Sequence, residues 1–451
     1  MKTLQTLAFC LMTIVIVAQS PPSQDDRLYD IQGAISADRL ASDITRLANF
    51  GTRHTLSDTV SNTRGIGAAR RWIKSEFDQI SKDCGGCLEV NYQRGMVKQG
   101  ESRRIPNDTW VVNVMAIKRG AKYPNRYIIM SGDIDSRISD PLNATDDSPG
   151  ANDNASGMAG VIESARVLSK YDFESSIIFV GLSGEEQGLF GGKIMAQAAK
   201  EDEWDIIGIL NNDMIGNIKG IDGVIDNRSF RIFSEADRAD EDEQKRIWKR
   251  FYGGEVDGPS RQLARYVHRI TSQYLPQMKP KMIYRLDRFG RGGHHRPFND
   301  AGFPGIRIME THENYNMQHQ DIRTEDGIAY GDVLEGVDFE YCSKLTAVNA
   351  INLASIAWSP PPPAGLMIGG AVKPSTVLRW DAGDDQVAGY IVHWRDTTAP
   401  QWQYSRYVGN VTEHTLENVV IDNYLFGVSS VSKDGHQSVV SYPTTLIPRR
   451  K

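Results

Sequence analysis

Between Ile35 and Trp358 the chain alternates two hydrophobic periods. Amphipathic stretches such as ADRLASDITRLANF are followed by short apolar runs: RYIIM, SSIIFVGL, DIIGIL and GIRIM. The first pattern makes one face of a helix apolar, and the second has the length of a strand. Apolar strands separated by helices belong to a sheet with helices on its faces, so this region is expected to be α/β with a largely parallel sheet. The charged stretch SEADRADEDEQKRIWK, from Ser234 to Lys249, reads as a solvated loop or helix face.

Pro360 to Pro363 break this pattern, because neither a helix nor a central strand continues through four prolines. A stiff linker is expected over 359–366. Beyond it, TVLRWDAGDDQVAGYIVHWRDT alternates polar and apolar residues, and turn residues recur about every ten positions. Residues 367–451 therefore read as a small all-β sandwich. Its segment DNYLFGVSSVSKDGHQS, with Trp380 and Leu416, resembles a fibronectin type III module, which implies a spacer or adhesion unit.

At 451 residues the chain is longer than one ordinary domain, in keeping with this division. A net charge of −6 with mixed signs leaves no basic stripe for a phosphate backbone, so nucleic acid is not an expected partner. Lys2, the apolar run from Leu7 to Val17 and the small or polar Ala18, Gln19 and Ser20 read as a signal peptide over 1–20. No later stretch is apolar enough to cross a bilayer. The expected product is a mature unit from residue 21, secreted or periplasmic. In such a compartment Cys84 and Cys87 are expected to form a local disulfide, and Cys342 to be a buried small hydrophobe. No pattern in the sequence specifies an oligomeric state.

Four acidic segments follow apolar runs or open helices: SGDIDS with Asp133 and Asp135, PGANDNASG with Asp153, SGEEQGLFGG with Glu185 and Glu186, and NNDMIG with Asp213. Ligands of open α/β sheets bind at the carboxyl ends of the strands, where these acids would converge. Taken singly, each suits a helix cap or a turn. Converging carboxylates raise one another's pKa or bind a cation, and the set in this order reads as a metal site.

These segments, with RGGHHRPF and YNMQHQD later in the chain, resemble the co-catalytic zinc aminopeptidases of metallopeptidase family twenty-eight, whose relatives include glutamate carboxypeptidase, transferrin receptor and glutaminyl cyclase. The resemblance spans Gly51 to Trp358. It implies a three-layer zinc-exopeptidase fold with a mostly parallel central sheet over 21–358, two zinc ions and peptide substrates. It further implies that Asp153 bridges the ions, Glu186 and His319 hold one, Asp213 holds the other, and Glu185 is the general base. Asp135 falls where the family has a carboxylate that orients the first ligand.

That first ligand is ordinarily a histidine, and here it is Asp133. Carboxylate oxygen is an acceptable zinc ligand, so the resemblance leaves either two ions or one. His294 stands where an acid is expected before His295, either replacing a hydrogen bond or moving toward the metal. Tyr315 is either a donor to a tetrahedral intermediate or structural, and the remaining histidines read as surface or hydrogen-bonded residues. No G-x-S-x-G, P-loop or H-E-x-x-H stands at a sensible place, which argues against serine hydrolases, nucleotide enzymes and helix-based zinc proteases. The reading is a zinc exopeptidase, most simply an aminopeptidase. A glutaminyl cyclase-like acyltransferase and a non-catalytic binding protein on the same fold are the alternatives.

Overall fold

Eight strands form one twisted sheet in a computed structural model that describes residues 21–448; the run read as a signal peptide lies outside the described residues. The strands are β1 (Leu88–Val97), β2 (Thr109–Lys118), β3 (Tyr123–Asp133), β4 (Ser175–Leu182), β5 (Asp205–Asn212), β6 (Ser229–Phe233), β7 (Lys279–Ile283) and β8 (Gly305–Glu310). Their order across the sheet is β1-β2-β4-β3-β5-β8-β6-β7. The four apolar runs are β3, β4, β5 and β8, which lie side by side and mutually parallel at the centre. The antiparallel pair β1 and β2 extends one side, and β6 and β7 extend the other.

The period of two along the central strands separates two cores. Ile128 and Met130 face one side with Ile177, Phe179 and Leu210, under the helices Ala37–Ala48, Gly157–Leu168, Pro259–Tyr274 and Phe339–Trp358. Ile129, Ile178, Val180 and Ile209 face the other, against Met195, Ala196 and Ala199 of the helix Phe190–Glu201 and against Phe298. Every residue of β4 is buried, as a strand covered on both faces requires. The result is a helix-sheet-helix sandwich. Local capping agrees with it: Ser36 accepts from the Arg39 amide, and Asp338 from that of Tyr341, at the starts of two of these helices.

After Trp358 the chain builds two smaller sheets. One pairs Thr376–Arg379 with Met367–Gly369 and Glu413–Leu416, with Thr445–Leu446 at its edge; the other pairs Gly389–Asp396 with Tyr404–Gly409 and Tyr424–Val431. Between them lies a core of Leu378, Trp380, Tyr390, Leu416, Phe426 and Val428. The proline run is a seam rather than a free spacer, since Ser430 Oγ donates to the Pro361 carbonyl and Ser441 Oγ to that of Pro363. Buried Asp257, ahead of the helix Pro259–Tyr274, accepts from Arg395 of the small sheets at 2.8 and 2.9 Å and also pairs with Arg265. Cys84 and Cys87 form a disulfide, and Cys342 is buried. Among the described residues no helix is long and apolar enough to cross a membrane.

Candidate active site

Because β3, β4, β5 and β8 are parallel, their carboxyl ends share one edge of the sheet, and the register sets their tips level. Asp133 pairs with Leu182, Gly132 with Asn212, and Asn212 with Ile308. Asp133 thus ends β3, Glu185 lies three residues beyond β4, and Asp213 one residue beyond β5. Gly184 adopts a left-handed φ of 76°, which lets the chain leave β4 sharply into the single helical turn Glu185–Gly188.

Asp135 holds that turn. Its Oδ1 accepts from the amides of Gly184 (2.8 Å) and Glu185 (3.2 Å), and its Oδ2 from the amide of Glu186 (3.0 Å) and from Thr55 Oγ1 (3.1 Å). This differs from the expectation that Asp135 orients Asp133. A carboxylate at position 133 has no N–H to donate to a neighbouring acid, so Asp135 turns instead to the free amides of the turn.

Asp153 sits in the irregular turn Ala151–Ser156 that precedes the helix Gly157–Leu168. The amides of Asn152 and Asp153 donate to the two oxygens of buried Asp332 at 2.8 and 2.7 Å. These contacts bring three side chains together. His319 Nε2 lies 2.9 Å from Asp153 Oδ2 and 2.8 Å from Glu186 Oε1. Gln318 donates to Asp153 Oδ2 at 2.9 Å, and Arg137 bridges Glu186 Oε2 (2.7 Å) and His319 Nδ1 (2.7 Å). Burial works against charge on all of these groups. The Glu186 and Asp153 charges nevertheless push His319 upward, while the Arg137 contact at Nδ1 needs that nitrogen's lone pair and so the neutral ring; the neighbourhood of His319 holds Asp153 and Glu186 below their ordinary values. Glu185 points into the same cleft, where burial and then the charges of Glu186, Asp213, Asp133 and Asp153 push its pKa well up.

Asp133 and Asp213 share this edge but face other partners. His294 Nδ1 is 2.6 Å from Asp133 Oδ1, and Asn154 Nδ2 donates to Asp133 Oδ2 at 2.7 Å. Of the two roles open to His294, the structure has the hydrogen bond; burial lowers its pKa to about 4, so it is a neutral imidazole. Arg307 of β8, wholly buried, lies with Nη2 2.8 Å from Asp213 Oδ2 and donates from Nε to the Asp213 carbonyl at 2.5 Å. Its Nη1 donates to Asp287 Oδ2 at 2.8 Å and to the Gly292 carbonyl at 2.7 Å. Arg137, Gln318, Arg307, Asp287 and Asp332 were not expected from sequence. Only the first two left a signal there, as neighbours of Asp135 and His319. Tyr315 is 53 % exposed and is not among the residues lining the cleft.

Among the described residues one set of three offers ligand atoms that all lie within 4.8 Å of one another: Asp153, Glu186 and His319. Two carboxylate oxygens and an imidazole nitrogen form a donor set that suits zinc and leaves a fourth tetrahedral position open. The residues present therefore fit one ion. Asp133 and Asp213 fall outside that set: Asp133 is hydrogen-bonded at both oxygens and Asp213 faces Arg307, yet burial and the neighbouring acids still push both carboxyls well up.

The sequence profile described as Peptidase family M28 matches residues 113–333. A probable zinc metalloprotease of Pyrenophora tritici-repentis is 40 % identical over 427 residues, 94 % of this chain and 88 % of that protein. A probable zinc metalloprotease of Leptosphaeria maculans is 40 % identical over 424 residues, covering 94 % and 98 %. The chain belongs to peptidase family M28, and it is a hydrolase. The Legionella pneumophila LapA aminopeptidase shares the fold, with a TM-score of 0.54 at 16 % identity over 79 % of this chain and 81 % of that one. An aminopeptidase from Aneurinibacillus sp. strain AM-1 has a TM-score of 0.50 at 14 % identity, covering 72 % and 95 %.

Proposed function

We propose that this chain is an exported zinc aminopeptidase that works with one ion, held by Asp153, Glu186 and His319, and with Glu185 as its general base. The observation that carries the proposal is the convergence of those three side chains beside a free glutamate, while the neighbouring acids are already matched by Arg307, His294 and Asn154. Relatives that span nearly the whole chain bear the name probable zinc metalloprotease, and the aminopeptidases from Legionella and Aneurinibacillus share its fold.

Zinc, when bound, polarises the scissile carbonyl and lowers the pKa of a water. Glu185 takes that water's proton and passes it to the departing amine, a role that needs a carboxylate free of metal. Glu186 cannot serve both as ligand and as shuttle, which accounts for the paired glutamates. A dication held by Asp153, Glu186 and His319 would offset part of the negative field that raises Glu185 and so favour its basic form. Asp135 fixes the turn so that ligand and base keep their spacing. Arg307 pairs with Asp213, the acid beside this set.

Export is supported by the Lys2-led apolar run and by the Cys84–Cys87 disulfide. Residues 21–358 serve as the peptidase unit, 359–366 as the junction, and 367–451 as a fibronectin type III-like brace that adds no catalytic group. The test is elemental analysis of the purified chain with release of free amino acids from short peptides, beside Glu185→Ala. One zinc per chain and loss of release in Glu185→Ala are expected. Two zincs would overturn the single-ion reading, and release of cyclised products or none at all would overturn the aminopeptidase reading.

A further inference from the structure

The cleft above Glu185 has a volume of about 560 Å³, and its lining combines the acidic floor with a basic rim. Six cations contribute: Arg104, Arg137, Lys193, Arg288, Arg291 and Arg296. Three of them have work within the fold. Arg137 clasps Glu186, Arg104 donates to the Glu186 carbonyl, and Arg288 pairs with Glu313. Arg296 has only Asp300, at 3.7 Å and exposed to solvent. Lys193 lies over the Phe190 ring, and among the described residues neither it nor Arg291 has an acid within ion-pair distance.

These free cations come from two different elements that line the cleft together with Glu185. Lys193 is one turn into the helix Phe190–Glu201 that follows the Glu185–Gly188 turn, and Arg291 is in the loop leading to His294. A dication in the cluster would cancel much of the acidic floor and leave the cleft positive. The lining also lacks the means to select an apolar side chain: it contains no Phe, Tyr or Trp, and Leu189 and Pro297 are its larger apolar members. A positive, apolar-poor cleft concentrates anionic substrates and gives a carboxylate two partners to bind.

We infer that the cleft selects peptides carrying a carboxylate close to the scissile bond, and that Arg291 and Lys193 receive it. The inference rests on the peptidase reading. The carboxylate has two sources, an acidic N-terminal side chain or the free C-terminus of a very short peptide, and both carry the same chemistry.

The experiment measures binding of Ala-Ala-Ala-amide, Asp-Ala-Ala-amide and Ala-Ala-Ala free acid to zinc-loaded Glu185→Gln protein, beside their hydrolysis by the wild type. An anionic peptide is expected to bind about tenfold more tightly than the neutral amide, roughly one charge-assisted contact. The preference should shrink toward unity in Arg291→Ala and in Lys193→Ala, and with rising salt. Preference for the Asp peptide assigns the side chain, and preference for the free acid assigns the C-terminus. Equal binding of all three, or a preference that survives both substitutions, would overturn the inference. Binding selectivity without hydrolysis of any peptide would instead remove the peptidase reading while leaving the anion site standing.

Discussion

The Arg307 guanidinium lies 2.8 Å from Asp213 Oδ2 and 2.8 Å from Asp287 Oδ2, a buried cation between two acids from different loops. Removing it leaves buried Asp213 without its counter-charge and Asp287 with only the longer contacts to Arg288 and His295. Arg307→Met is expected to cost about 3–5 kcal/mol of stability. Urea unfolding measures this, and a loss under about 1 kcal/mol would mean that water replaces the guanidinium freely.

Zinc binding should sort the site residues by role. His319→Ala or Glu186→Gln is expected to weaken zinc by more than the roughly 10- to 100-fold that follows loss of an outer hydrogen-bond partner. Gln318→Ala, which removes only one hydrogen bond to Asp153 Oδ2, should fall within that range. Competition against a chromophoric chelator reads all three. Asp133→Asn should leave the stoichiometry unchanged, and a lower zinc content in that variant would place Asp133 among the ligands.

Glu310 offers a pH test away from the metal cluster. Burial raises it to about 8 from an ordinary 4.5, against the amide of Asn217 and the Asn152 side chain that favour its charged form. The folded chain then binds this proton more tightly than the unfolded chain does. Its stabilising contribution is complete below about pH 4.5 and is lost as the pH rises toward about 8. Glu310→Gln mimics the protonated form, so its stability relative to wild type should climb across that window. A flat difference in unfolding midpoints from about pH 5 to 8 would contradict the raised pKa.

The seam to the small sheets depends on one acid serving two guanidiniums. Asp257→Asn leaves Arg265 and Arg395, both nearly fully buried, facing each other unneutralised, whereas Arg395→Met leaves the Asp257–Arg265 pair intact. The first is expected to cost about 3–5 kcal/mol and the second distinctly less. Thermal unfolding of the full chain decides the order, and equal losses would assign the cost to packing alone.

The centre of the fold was legible because its strands each carry a run of buried apolar residues. RYIIM, SSIIFVGL, DIIGIL and GIRIM became four neighbouring strands, and the acids after them met at one edge as that topology requires. The outer strands β1, β2, β6 and β7 were not marked in advance. β1 and β7 are half exposed, their residues mix polar and apolar types, and their place depends on pairing with distant segments. Arg307 was hidden inside GIRIM, where one cation among isoleucines reads as an edge or a stray charge. Its partners Asp213 and Asp287 are 94 and 20 residues away, a relation that no local pattern records. The departure at Asp133 was visible in the sequence, but its partner emerged only when the loop bearing His294 folded against β3.

Glu185 and Glu186 hang from one turn whose three amides are moored to a single carboxylate, Asp135. The two glutamates consequently share an anchorage and have little freedom to move separately. A variant that slackens the mooring would tilt both at once, so ion affinity and turnover should drift together along a common line. An engineer wanting a tighter ion without a slower reaction would have to work on the side of His319, whose Nδ1 meets Arg137 rather than Asp135.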